Sequence, residues 1–65
     1  MIELKYNHET SECHIVYEGY ALDVISELTT ITDDAIERIA KSINSPKHVI
    51  LNAFIDGLKF ISPLN

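Results

Sequence analysis

The sequence contains few residues that interrupt helices and strands or form cross-links. Its 65 residues include two glycines, two prolines and one cysteine, and tryptophan is absent. The single cysteine, Cys13, excludes a disulfide within the chain and any metal site built from several cysteines. The longest apolar runs, such as 49–51 and 53–55, span three residues, whereas a bilayer-spanning helix needs about 20. No apolar stretch follows Met1 behind a basic start. The sequence therefore predicts no secretory signal, no membrane contact and a cytoplasmic location.

Basic residues are scarce too. Five Lys and Arg stand against ten Asp and Glu, which gives a net charge of −5. A direct nucleic-acid binder needs a basic surface to neutralise phosphates, so that class of function is excluded. A disordered acidic tail is excluded as well, because 46% of the residues are hydrophobic. The length allows one small domain over residues 1–65.

The first part of the chain alternates between apolar and polar residues, which is the period of a half-buried strand. One strand is expected over about 2–6 and a second over about 13–18, and Gly19 follows before the period changes. The link 7–12 is rich in residues that bond to their own backbone in turns. It contains no Asn-Gly or Asp-Gly pair, so the sequence predicts an antiparallel hairpin whose turn is longer than two residues.

A long helix is expected over about 21–44. At 100° per residue its apolar side chains fall within one half of the helical wheel and its polar side chains, apart from Ser42, in the other. The β-branched segment 29–32 costs helix stability, and Thr32 is a possible cap for a new helix. A real break would usually reset the phase. We therefore favour one continuous helix, with a kinked or split pair near Thr29–Thr32 left open.

A second helix is expected over about 46–60. Ser45 is the expected N-cap, and Pro46 the first helical residue, where a missing N–H costs nothing. Gly57 is either an interior residue or a left-handed stop, and Pro63 ends regular structure. The predicted fold class is α+β: an antiparallel β-hairpin, a long helix and a shorter antiparallel helix (ββαα), with the hairpin packed on the two helices.

The stretch from Tyr6 to Cys13, followed by a strand, Gly19 and an acidic amphipathic helix, resembles small uncharacterised proteins of bacterial phages and other mobile elements. The resemblance covers about two thirds of the chain and depends mainly on the turn pattern. It implies a hairpin-plus-two-helix fold, and it implies no catalytic residues.

The hairpin carries the candidate reactive groups. Cys13 and His14 are neighbours, but adjacent strand residues point to opposite faces, so a thiol–imidazole pair is not expected and Cys13 is expected in the core. His8, Glu12 and His14, with Glu9, gather near the tip but lack a recognised metal-ligand spacing. We expect no metal, no cofactor and no catalysis, although a metal at these residues stays an open alternative.

The long helix carries an acidic face. A solvated face is the favoured interpretation, because acids early in a helix favour its dipole and Asp34–Arg38 and Glu37–Lys41 are i,i+4 pairs. The alternative is an acidic inhibitor that imitates nucleic-acid charge and blocks a nucleic-acid-binding protein. The residues of this face are Asp23, Glu27, Asp33, Asp34 and Glu37.

The second helix is apolar over so wide an arc that it needs cover on two sides. One apolar face is assigned to the core of the chain itself, namely Val49, Ile50, Ala53, Phe54, Phe60 and Ile61. Leu51, Ile55 and Leu58 form a second stripe, and little of so short a chain remains to cover it. Either the hairpin wraps around to cover it or a partner does. We favour a partner: a homodimer or a host protein bound by a non-catalytic interaction module.

Overall fold

A computed structural model of the chain describes residues 1–62, so the expected end of regular structure at Pro63 lies outside the described residues. The element order is β1 (Ile2–Asn7), β2 (Glu12–Tyr17), α1 (Ala21–Ser42) and α2 (Lys47–Ile61). The predicted ββαα order and α+β class are confirmed. The strand and helix ends differ from the predicted ones by one or two residues.

The two strands form an antiparallel hairpin, as predicted. Residues 8–11 make the turn, which is longer than two residues. Polar side chains shape it: the Glu9 N–H donates to Asn7 Oδ1 at 3.0 Å and the Glu12 N–H to Thr10 Oγ1 at 3.3 Å. Ser11 adopts a left-handed φ of 58°. The expectation that these residues bond to local backbone is therefore confirmed.

Gly19 separates the hairpin from α1 and has a φ of 127°. A Cβ added there would lie 3.8 Å from Val24 Cγ2, which is ordinary van der Waals contact. The restriction at this position is therefore conformational. Only glycine adopts such a φ without strain, and it does so where the chain leaves the sheet to enter the helix.

Helix α1 is continuous through the β-branched segment. Three hydroxyls in and just before this segment bond back to carbonyls one turn earlier: Ser26 to Leu22, Thr29 to Ile25 and Thr30 to Ser26, at 2.8–3.0 Å. Since these bonds engage the hydroxyls within the helix itself, the hydroxyls do not draw the backbone out of helical geometry. The favoured single helix is confirmed.

Helix α1 ends in a Schellman motif. Asn44 has a left-handed φ of 54°. The Ser45 N–H donates to the Ala40 carbonyl at 2.9 Å and the Asn44 N–H to the Lys41 carbonyl at 3.2 Å. The predicted role of Ser45 as N-cap of the second helix is wrong, because Ser45 belongs to this motif. Pro46 is the N-cap instead, and α2 begins at Lys47.

The described residues divide into two compact units, 1–31 and 32–62, with α1 contributing to both. Within residues 1–62 the buried side chains are Ile36 and Ala40, at 4% and 3% exposure, and both lie in the second unit. They are one turn apart on α1, while Ile50 of α2 is half-buried in the same unit. The core that the structure describes is therefore confined to a short part of the apolar face of α1.

Candidate functional site

The hairpin has one apolar and one polar face. Its register pairs Ile2 with Tyr17, Leu4 with Ile15 and Tyr6 with Cys13. The intervening pairs are Glu3–Val16, Lys5–His14 and Asn7–Glu12. Because strand side chains alternate between faces, Cys13 lies on the apolar face and His14 on the polar one. The two cannot act as a thiol–imidazole pair.

Cys13 is a free, exposed thiol. The expected core position of this cysteine is therefore wrong: the face it belongs to is apolar, but the first unit does not cover that face. The polar face carries a shallow groove lined by Lys5, Asn7, Glu12 and His14. Among residues 1–62, no three His, Cys, Asp or Glu side chains gather in a group able to hold a metal ion.

Two acidic residues of α1 form ion pairs with basic side chains of the same helix. Arg38 Nε lies 2.7 Å from Asp34 Oδ2, and Lys41 Nζ lies 3.9 Å from Glu37 Oε1. Both are i,i+4 pairs within the helix, as the sequence suggests, and both are largely exposed to solvent. Exposed pairs of this kind contribute about 0–1 kcal/mol.

Two further acids have partners that are distant in sequence. Lys47 Nζ lies 2.8 Å from Asp33 Oδ1, and the Met1 amino group lies 3.0 Å from Glu27 Oε1. The fifth acid, Asp23, lies in the first turn of α1, where a carboxylate favours the helix dipole. Four of the five carboxylates of the acidic face therefore lie in ion pairs with cations of this chain.

The second stripe of α2 is uncovered within the unit 32–62. Leu51, Ile55 and Leu58 are 39%, 38% and 50% exposed. Their i, i+4, i+7 spacing places them along one side of the helix over about 10 Å. The structure thus brings the three predicted interface residues together as one continuous apolar stripe on a regular helix.

The first face of α2 is less covered than the sequence predicts. The assignment of all six residues to the core is wrong, because Ile50 is half-buried whereas the other five are exposed. Phe54 in particular extends the stripe, since Leu51, Phe54, Ile55 and Leu58 follow an i, i+3, i+4, i+7 pattern. That spacing was visible in the sequence. The wide apolar arc alone did not show on which side of it Phe54 belongs. We call these four residues the α2 patch.

None of the helices in the described residues is long and apolar enough to cross a membrane. Comparison with protein-family models, with curated proteins and with solved structures finds no match for this chain.

Proposed function

We propose that this chain is a non-catalytic protein-interaction module that associates with a second copy of itself through the α2 patch. The observation that carries the proposal is the exposure of Leu51, Phe54, Ile55 and Leu58 on one side of a regular helix. Contiguous apolar side chains at helical spacing typically mark a surface that a partner covers.

A second copy is the favoured partner because a twofold contact uses the same patch twice. Fully burying an exposed leucine or isoleucine contributes roughly 1.5–3 kcal/mol. Leu51, Ile55 and Leu58 are 38–50% exposed, so covering each contributes about half of that or less, and in a twofold interface every contribution is repeated on the partner. A host protein with an apolar groove is the other possible occupant.

The charge-mimic alternative receives less support from the geometry. An inhibitor that imitates nucleic acid needs carboxylates free to meet the cations of its target. Here Asp33, Asp34 and Glu37 already lie within 4 Å of Lys47, Arg38 and Lys41. Exchanging these internal pairs for external ones gains little, because the charges are partly neutralised before any partner arrives.

Sedimentation equilibrium of the parent and two matched variants tests the proposal. Ile55→Glu places a charge at the centre of the α2 patch, whereas Asn52→Glu places the same charge on the polar strip of the same helix. We expect the parent and Asn52→Glu to be dimeric at high micromolar concentration, and Ile55→Glu to dimerise more weakly than both, because a buried unpaired charge is costly.

Circular dichroism of the three proteins shows whether each retains its helices. A parent that is monomeric at high micromolar concentration overturns the homodimer. A helical Ile55→Glu variant that dimerises as the parent does overturns the assignment of the contact to the α2 patch.

A further inference from the structure

The first unit, residues 1–31, carries two apolar surfaces that do not cover each other. One is the apolar face of the hairpin, where Leu4, Tyr6, Ile15 and Tyr17 are all exposed. The other is one side of the first three turns of α1. Its members Leu22, Ile25 and Leu28 follow the i, i+3, i+6 spacing of a helix face and are 41–78% exposed.

The contacts within the unit explain why the two surfaces stay apart. The Met1 amino group bonds to Glu27, and Met1 and Ile2 line a groove with Ser26, Glu27, Thr30 and Ile31. The start of the hairpin thus lies against the flank of α1 that carries Ser26, Glu27, Thr30 and Ile31. Ile25 and Leu28 lie on the other side of the helical wheel, Leu22 lies at its edge one turn before Ser26, and all three remain exposed.

We infer that a second copy of this chain covers both surfaces at once, with the apolar hairpin face of each copy lying on the Leu22–Ile25–Leu28 face of the other. The inference does not depend on the α2 patch, which lies in the other unit.

The available area is what a stable dimer needs. Taking about 200 Å² for a whole tyrosine side chain and about 100 Å² for leucine or isoleucine, the seven residues expose roughly 500 Å² of apolar surface per chain. The core of an interface is about 65% apolar, so this surface corresponds to about 800 Å² per partner, the usual size of a specific interface.

The need to cover both surfaces favours a reciprocal contact between two copies of the chain. Stacking of two hairpins, face on face, covers the sheet residues but leaves Leu22, Ile25 and Leu28 in water. Pairing of two α1 helices leaves the hairpin uncovered. This is unfavourable because a two-stranded sheet without a covered face is at best marginally stable in water. The reciprocal contact buries both surfaces in one twofold interface, because each chain supplies one surface of each kind.

The natural thiol gives the first test without any change to the protein. Cys13 lies on the apolar hairpin face, so the second copy would shield it. We expect its reaction rate with a maleimide to fall as protein concentration rises, by about tenfold once about nine-tenths of the chains are paired, because only the free chain reacts. The matched control carries Cys13→Ser with Glu3→Cys on the polar face, and its rate should not change with concentration. A rate for Cys13 that stays constant through the dimerisation range overturns the inference.

Cross-linking identifies the occupant. A chain with its natural Cys13 is mixed with a Cys13→Ser chain that carries one new cysteine, Leu22→Cys, Ile25→Cys or Leu28→Cys, and a short bifunctional maleimide is added. We expect heterodimers from at least one of these three and few from the control Asp23→Cys on the acidic face. Yields from Asp23→Cys that equal the best of the three overturn the inference. So does Cys13–Cys13 cross-linking as the main product of the parent, which indicates stacked hairpins.

The outcomes separate this inference from the proposed function. A parent that is dimeric by sedimentation but gives no cross-link in unit 1–31 overturns the inference and leaves the α2 patch standing. Cross-links that persist in an Ile55→Glu chain that dimerises as tightly as the parent support the inference and overturn the α2 contact.

Discussion

Lys47 Nζ lies 2.8 Å from Asp33 Oδ1, which ties the first residue of α2 to α1 about two and a half turns before α1 ends. The hydrogen bond to Asp33 is the main cause of a raised pKa for Lys47, and the negative charges of Asp33 and Glu37 act in the same direction. Among the ion pairs that the structure describes within residues 1–62, only Lys47–Asp33 joins side chains of two different helices.

The first prediction concerns this pair. A double-mutant cycle with Lys47→Met and Asp33→Asn should show a favourable coupling at neutral pH and low salt that shrinks in high salt, because exposed charges are screened. A group whose folded pKa is raised stabilises the protein below its unfolded pKa, and that stability is lost as the pH rises through the folded pKa. As Lys47 loses its proton, the coupling should therefore be lost in the alkaline range and be present at neutral pH.

Urea unfolding of the four proteins of the cycle, at fixed protein concentration, measures this coupling. Lys41 and Glu37, 3.9 Å apart on α1, supply the control cycle, and we expect it to show a weaker coupling. An Asp33–Lys47 coupling that is unchanged in high salt contradicts the prediction.

The second prediction concerns the continuity of α1. Thr30 is exposed and bonds back to the Ser26 carbonyl. Thr30→Ala should stabilise the protein by a few tenths of a kcal/mol, because alanine is the better helix former. Thr30→Pro should cost about 3 kcal/mol or more, because it removes a helical N–H and clashes with the preceding turn. Thermal melts followed by circular dichroism check both. A proline variant that melts like the parent contradicts a continuous helix.

The third prediction concerns Gly57, which the structure places inside α2, so the possibility of a left-handed stop there is wrong. A Cβ added at Gly57 meets no atom within 4 Å. Gly57→Ala should therefore stabilise the protein by about 1 kcal/mol. The reverse change at a nearby exposed position of the same helix, Ala53→Gly, should destabilise it by a similar amount. Denaturant midpoints at equal protein concentration measure both, and a destabilised Gly57→Ala indicates that a partner approaches this position closely.

The fourth prediction concerns the acidic face. The triple change Asp23→Asn, Glu27→Gln and Asp34→Asn should leave the helical content and the self-association nearly intact, because exposed pairs are worth about 0–1 kcal/mol. Circular dichroism and sedimentation equilibrium at low and high salt check this. A large loss of association, recovered at neither salt concentration, favours the charge-mimic alternative over the apolar contact.

Local patterns in the sequence determined the elements of this protein. The alternation of apolar and polar residues placed Cys13 and His14 on opposite faces of the hairpin. The helical phase of the apolar residues from Ala21 to Ile43 predicted that α1 continues through its threonines. These properties depend on residues within a few positions of one another, so they can be predicted from the sequence alone. The polar turn 7–12 likewise indicated its own local hydrogen bonds.

The tertiary structure decided which apolar side chains find cover. The sequence assigns a full helix face to the core, yet Ile36 and Ala40 are the buried residues among those described, and Phe54 joins an exposed patch. It also decided that the left-handed Asn44 and Ser45 form the motif that follows the end of α1 at Ser42, and that Lys47 lies next to Asp33. Periodicity shows that a helix face is apolar. Whether that face is buried depends on which other residues approach it in space, and a local sequence pattern does not predict those residues.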